Sequence, residues 1–268
     1  MSNSAGKIPL DELRATFSDR LQENVVMANY TTSRVGGVAA AVIMAYSALE
    51  LEKATRFLWE HNLPFFILGS GSNVLISDAG VEEIIIVNHA HTVKIDVHHE
   101  PLSVWAESGA NLGGIARQVA LRGLSGLEWA ASIPGSIGGA VYGNAGAHDG
   151  DIKGSIIVAE ILHRESGKEL WDAPRLDYSY RSSALKRNPG QAVILSARMR
   201  LNQSTPAQVK ARMEDFSAQR HITQPPGASM GSMFKNPPGD YAGRLIESAG
   251  LKGTRIGGAE ISAVHANF

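Results

Sequence analysis

The chain has 268 residues, 44% of them hydrophobic, enough for a substantial core arranged as one large domain or as two to three lobes. Its 25 basic residues nearly balance 26 acidic ones, so no global charge favours nucleic acid or an anionic membrane as a partner. It contains no cysteine, which excludes disulfides, thiol nucleophiles and cysteine-ligated metal sites.

The N-terminus, Met1-Ser2-Asn3-Ser4, lacks the basic start and apolar run of a secretory signal. No apolar stretch reaches the roughly 18–20 residues of a membrane span, and a cytoplasmic location is expected. The first predicted helix covers residues 47–62: Ser47 with Glu50 makes a capping box, and Leu51, Ala54 and Leu58 mark the apolar face, with Phe57 at its margin. A second covers residues 111–122, with Leu112, Ile115, Ala116, Val119 and Ala120 on one side and Gly123 as the stop. Thr205 caps a third, with Pro206 in its first turn and Val209, Met213 and Phe216 as its stripe. A shorter fourth spans residues 240–249. Strands are predicted at 65–68, 74–77, 84–87, 93–97, 103–107, 156–162 and 193–201. These elements do not alternate as strand–helix–strand units, so an α+β fold is expected, with boundaries near residues 91 and 202.

Glycine clusters at three stations. The first is Leu68-Gly69-Ser70-Gly71-Ser72-Asn73-Val74, a loop between two predicted strands. Glycines let successive backbone N–H groups converge on a phosphate, and Ser70, Ser72 and Asn73 add donors. The loop has neither the last glycine and following helix of a dinucleotide fingerprint nor the Lys end of a P-loop, so a tight hairpin stands as the plain alternative. The second station runs from Ile133 to Ala147, with five glycines, three alanines and no charge in fifteen residues. Such a segment gains little from side-chain burial. It suits either close backbone packing or the approach of a flat ligand such as a flavin ring. The third, Ser229-Met230-Gly231-Ser232-Met233-Phe234-Lys235-Asn236-Pro237, offers a hydroxyl, an ammonium and a carboxamide, or simply a turn. It lacks the Gly-x-Ser-x-Gly elbow of a hydrolase. Tyr178-Ser179-Tyr180-Arg181-Ser182-Ser183 brings an arginine suited to carboxylate or phosphate, or else is an exposed strand end. The nine histidines show no metal-ligand spacing; His98-His99 reads as a solvated turn before Pro101.

Taken in order, the motifs resemble the MurB reductases, the FAD-dependent UDP-N-acetylenolpyruvoylglucosamine reductases. They are Thr31-Thr32-Ser33-Arg34-Val35-Gly36-Gly37, the Gly69–Asn73 loop, Gly123-Leu124-Ser125-Gly126-Leu127-Glu128, the 133–147 stretch, and Tyr180-Arg181-x-Ser183 with Lys186. Gly231–Pro237, Ala242-Gly243-Arg244-Leu245-Ile246-Glu247, Ile256-Gly257-Gly258-Ala259 and His265-Ala266-Asn267-Phe268 complete the series. The resemblance implies an N-terminal extension over 1–24, a PCMH/VAO-type FAD-binding module over 25–201 with lobes of about 25–90 and 91–201, and an α+β substrate-binding lobe over 202–268. It also implies FAD as cofactor, NADPH as reductant, a nucleotide-sugar substrate and, by default, a monomer. Arg181 matches the arginine meeting the carboxylate end of the substrate, and Ser232 the proton donor. Lys235 and Asn236 match substrate contacts; Arg220, with Gln224, matches residues near the diphosphate. Tyr142 falls in the flavin stretch as a lining residue at the substrate. Gly69, Ser70, Gly71, Ser72, Asn73, Pro134, Gly135, Ser136, Gly138, Gly139, Asn144, Ala145 and Gly146 are the implied cofactor-binding set. Residues 184–191 contain no tyrosine, which resembles the subgroup lacking an extra tyrosine-bearing loop. The family pattern normally continues past Phe268 with a strand, helix and strand carrying an assisting glutamate. The expectation is therefore a shortened polypeptide that binds FAD yet turns over poorly.

Overall fold

The computed structural model describes residues 8–268. The first seven residues of the expected extension lie outside them, as does the Met1–Ser4 stretch.

Two sheets organise the first two hundred residues. In the first, β1 (Leu21–Val26) pairs antiparallel with β2 (Val38–Ala45), with Leu21 opposite Ile43. β2 and β3 (Phe65–Leu68) both run parallel to β4 (Ile84–Asn88), giving the order β1-β2-β4-β3. All five residues of β4 are buried, as its uninterrupted Ile-Ile-Ile-Val run requires of a strand covered on both faces. Helices α1 (Leu10–Phe17) and α2 (Ala48–Glu60) cover one face, with Leu13, Ile43, Leu51, Leu58, Ile84 and Ile86 in one cluster. The span from residue 8 to 24, expected as an extension, is thus built into this layer: Leu13 is fully buried and β1 is an edge strand.

The second sheet is entirely antiparallel. It comprises β5 (Val93–Asp96), β6 (Ser103–Glu107), β7 (Ile156–His163), β8 (Gly167–Trp171) and β9 (Ala192–Arg200), in the order β8-β7-β9-β6-β5. Helices α3 (Leu112–Ala120) and α4 (Ile137–Gly143) bury Leu112, Ile115, Ile137 and Val141 against its strands. Leu162, Val193 and Leu195 of this sheet join the α1/α2 cluster, so α2 touches both sheets. Beyond them, α5 (Pro206–Thr223) packs Phe216 against the second core and buries Val209. The remainder is the short helix α6 (Ala242–Ser248), a two-residue strand pair and loops, with only Ala242, Ala266 and Asn267 buried.

The α+β class read from the sequence is the one the chain adopts. The caps Ser47 and Thr205 are as read, accepting the N–H of Glu50 and Gln208, and Asn111 proves a third, accepting that of Gly114. Two expectations fail. Residues 74–77 are extended without a strand partner; Val74 and Ile76 pack beneath the first sheet, and the Ser77 carbonyl accepts the Gly37 N–H at 2.8 Å. The 69–73 loop is therefore not a hairpin, since β3 and the next strand, β4, run parallel. The glycine stretch, in turn, contains a helix that its composition concealed: Ser136 caps α4, and Asn144, in the left-handed region at φ 47°, ends it. Among the described residues no helix is long and apolar enough to cross a membrane.

Candidate active site

The first two glycine stations form one wall. Gly71 sits at φ +62°, and a Cβ there would run into the Tyr30 carbonyl oxygen; the Thr32 N–H donates to the Gly71 carbonyl at 3.0 Å. Ser72 Oγ donates to the Pro134 carbonyl at 3.2 Å, and a Cβ on Gly135 would lie 3.1 Å from that same Oγ. A Cβ on Gly69 would strike Ser136 Oγ. Gly138 donates to the Ser108 carbonyl at 2.7 Å, and Gly139 to Ser136 Oγ at 3.4 Å. A side chain at Gly69 or Gly135 would push the two loops apart. Ser70 and Asn73 are exposed beside them.

Past α4 the chain builds a cationic corner. The Asn144 carboxamide is occupied: it donates to Asp151 Oδ2 at 3.2 Å and to the Ser179 carbonyl at 3.5 Å, and accepts the Lys153 N–H at 3.0 Å. Its side chain is therefore committed to fixing the turn, which leaves only its backbone for a ligand. Ala145 donates its N–H back to Ala140, and Gly146 pairs with Asp151. Arg181 projects from a tight turn in which Ser179 and Ser182 exchange backbone hydrogen bonds at 3.1 Å, with φ +55° at Arg181 itself. Its guanidinium donates to the Asn144 and Gly146 carbonyls at 3.5 and 3.2 Å and lies 5.7 Å from the Tyr180 ring centroid. Lys186 Nζ donates to the Arg181 carbonyl at 3.2 Å. Burial, then the charges of Lys235 and Arg181, push the Lys186 ammonium below the usual lysine range. The charge of Lys235, from the third station, thus reaches this corner. Tyr142 is partly exposed beside it; burial raises its phenol, and its carbonyl accepts the Ser183 hydroxyl at 2.7 Å.

Arg187 next door is paired with Asp177, whereas Arg181, Lys186, Lys235 and Arg220 have no carboxylate partner among the described residues. Charges gathered without counter-ions are costly unless a ligand supplies them.

The wall also borders a cleft of about 960 Å³, lined by Thr32, Ser72, Ser132, Pro134, Arg117, Arg220, Gln224, Ser229 and Gly231 among others. Burial lowers the Arg220 guanidinium. Ser132 Oγ and Gln224 Oε1 are buried with no hydrogen-bond partner, as is Ser33 Oγ beside Thr32. Buried polar atoms left unsatisfied cost about 1–3 kcal/mol each, so this wall is built for a polar ligand. A dinucleotide cofactor, with phosphates for glycine-loop N–H groups and hydroxyls, fits that donor set.

The third station is held from behind: Asn267 bonds the backbone of Met233 and Phe234 at 2.8–2.9 Å. Ser232 is exposed between Gly231, which lines the cleft, and the Met233–Lys235 run toward the cationic corner. Asn236 Oδ1 accepts the Ala242 N–H at 3.1 Å, so it secures the start of α6 and keeps only its amino group free. The cleft thus unites Ser72, Pro134 and Arg220, while Arg181 is bonded by Lys186, whose ammonium also feels the Lys235 charge. Arg117 and the bond from Thr32 Oγ1 to the Ser229 carbonyl, at 2.6 Å, escaped the sequence reading. Both are ordinary polar residues whose partners lie far away in sequence.

Residues 39–163 match the family model for the FAD binding domain, which defines the class: a flavin-dependent oxidoreductase built on that module. Residues 221–268 match the model of the UDP-N-acetylenolpyruvoylglucosamine reductase C-terminal domain. The UDP-N-acetylenolpyruvoylglucosamine reductase of Chloroflexus aggregans is 41% identical over 92% of this chain and 84% of its own length. That of Bacillus subtilis is 36% identical over 97% and 85%. The chain belongs to the UDP-N-acetylenolpyruvoylglucosamine reductase family. The solved reductase of Thermus caldophilus superposes with a TM-score of 0.80 at 35% identity, covering 93% of this chain and 87% of that one. A cholesterol oxidase from B. sterolicum, 18% identical with a TM-score of 0.53, shares the fold alone.

Proposed function

We propose that this chain reduces UDP-N-acetylglucosamine enolpyruvate to UDP-N-acetylmuramate, a peptidoglycan precursor, in the cytoplasm as a monomer, with FAD bound and NADPH as the reductant. The observation that carries the residue assignments is the group of unpaired cations around Arg181, set against an uncharged glycine wall. Gly69–Asn73 hold the cofactor through backbone N–H groups and the Ser70 hydroxyl, the N–H groups of Gly135 and Ser136 with the Ser136 hydroxyl add to that set, and the Ala145–Gly146 backbone closes the far end. FAD, when bound, supplies hydride transfer between NADPH and the enolpyruvyl double bond.

The residues handle the charge and the proton. Reduction adds a hydride to one alkene carbon and a proton to its neighbour, with negative charge growing beside the substrate carboxylate in between. A guanidinium has five N–H donors. Arg181 spends part of that set on two carbonyls, which aim it, and keeps the rest for the carboxylate and the developing enolate. Ser232 Oγ donates the proton. A serine hydroxyl is a weak acid, and the nearby Lys235 charge lowers the cost of the alkoxide left behind. Arg220 in the cleft and the Asn236 amino group contact the substrate, and Tyr142 lines its path.

The test is product analysis. Purified enzyme with FAD, NADPH and the enolpyruvyl sugar should yield a product heavier by two hydrogens, with one NADPH consumed per molecule formed. NADPH oxidation that is independent of the sugar, with the sugar recovered unchanged, refutes the proposal.

A further inference from the structure

We propose that Lys186 is a positioning residue for the half-reaction that reduces the sugar: it fixes Arg181 in its working conformation and adds a third positive charge where the substrate carboxylate docks. This rests on the function proposed above and extends it to a residue outside the implied catalytic and binding set.

The geometry starts at Ser183, which is fully buried. Its hydroxyl donates to the Tyr142 carbonyl at 2.7 Å and accepts the Lys186 N–H at 3.2 Å. The helical turn Ala184–Arg187 is therefore pinned to the last turn of α4, and Lys186 starts from a fixed point. Its side chain folds back five residues to the Arg181 carbonyl rather than out to water. Arg181 has φ +55°, a conformation that L residues other than asparagine and aspartate seldom keep without an external hold. The ammonium supplies that hold from one side. The Asn144 and Gly146 carbonyls hold the guanidinium from the other.

A lysine serving only as a hydrogen-bond donor has no reason to sit half-buried beside two other cations. The nearby arginine, Arg187, is neutralised by Asp177, so the turn is able to provide a counter-ion and does not do so at Lys186. Burial, with the charges of Lys235 and Arg181, depresses the ammonium, the cost of holding cations together without a carboxylate. A carboxylate placed among Arg181, Lys186 and Lys235 removes that cost, which makes the three together a receiver for anionic substrate.

Three variants separate the contributions. Lys186→Arg keeps charge and donor, Lys186→Gln keeps a donor without charge, and Lys186→Met keeps neither. Each holoenzyme is followed by its visible flavin spectrum, its anaerobic bleaching with NADPH, calorimetric affinity for the enolpyruvyl sugar, and reoxidation by that sugar. In Lys186→Gln and Lys186→Met, flavin content and NADPH bleaching should stay within about twofold, while sugar affinity and reoxidation rate each fall about tenfold or more, as expected for a lost electrostatic contact. Lys186→Arg should remain within about threefold of the parent, because the charge is retained. Reoxidation of Lys186→Gln at the parental rate overturns the charge role. Equal loss of NADPH bleaching and reoxidation in all three variants makes Lys186 a folding residue and overturns the proposal. Failure of the parent enzyme to be reoxidised by the sugar instead refutes the underlying function.

Discussion

Gly71 and Arg181 both occupy left-handed backbone, for opposite reasons: the glycine because nothing larger fits beside Tyr30, the arginine because its neighbours hold it there. Gly71→Ala should destabilise the fold by roughly 1–3 kcal/mol and weaken FAD binding, read by thermal melting and flavin titration of the apoprotein. Arg181→Met should keep the flavin but slow its reoxidation by the sugar about 10²–10³-fold, since it removes donors from developing charge. Ser232→Ala should slow formation of UDP-N-acetylmuramate without altering NADPH bleaching, measured by single-turnover quench. Residue identity was legible where a motif is contiguous, as in Gly69–Asn73 and Gly231–Pro237. It was less legible where a side chain's job depends on a distant partner. Asn144 reads as flavin lining in a string of glycines, yet its amide is consumed by Asp151, Ser179 and Lys153. Nothing local to Lys186 says that its ammonium turns back to Arg181.

Elements whose signals are local were readable at the scale of one turn. Ser47 illustrates this: its hydroxyl accepts the Glu50 N–H at 3.1 Å, and the Glu50 carboxylate reaches back to the Tyr46 N–H, one residue before the cap. Ser47→Ala should lower stability by about 0.5–2 kcal/mol in denaturant melts, with little change in the flavin spectrum. Six of the seven predicted strands formed, but β1, β2 and β8, which depend on non-local pairing, were missed. The strand β2 is rich in alanine, a poor strand former, and exists because β1 and β4 flank it. Residues 74–77 have the apolar pattern of a strand but meet no free edge, so burial of Val74 and Ile76 satisfies that pattern without a ladder. The helix α4 carries three glycines in seven residues, against its own propensity. Its caps and the contact of Gly138 with Ser108 hold it, and those glycines allow the close approach that the wall needs.

The whole molecule depends on how the two sheets are joined. Glu107, at the end of β6, is buried and accepts the N–H groups of Ala48 and Thr92 at 2.8 Å each, so it clamps the start of α2 to the second sheet. Burial opposes its ionisation, but the Ala48 and Thr92 donors outweigh it, and the carboxyl is held below its ordinary value of 4.5. Its stabilisation is present above about pH 4.5 and is lost as pH falls through the lowered value, because the unfolded chain then binds the proton more readily. Glu107→Gln should cost roughly 1–3 kcal/mol near neutral pH, with the gap to the parent narrowing below pH 4.5 in melting curves. With the sheets locked, the glycine wall lines the cleft and leads through α4 to the cationic corner, and the third station is tied to it through Thr32 and Ser229. The most direct test of that arrangement is anaerobic: bleach the bound flavin with NADPH, remove the excess, then add the enolpyruvyl sugar. The account predicts that the oxidised flavin spectrum returns in full with one equivalent of sugar and without oxygen. A flavin that stays bleached until air is admitted would contradict it.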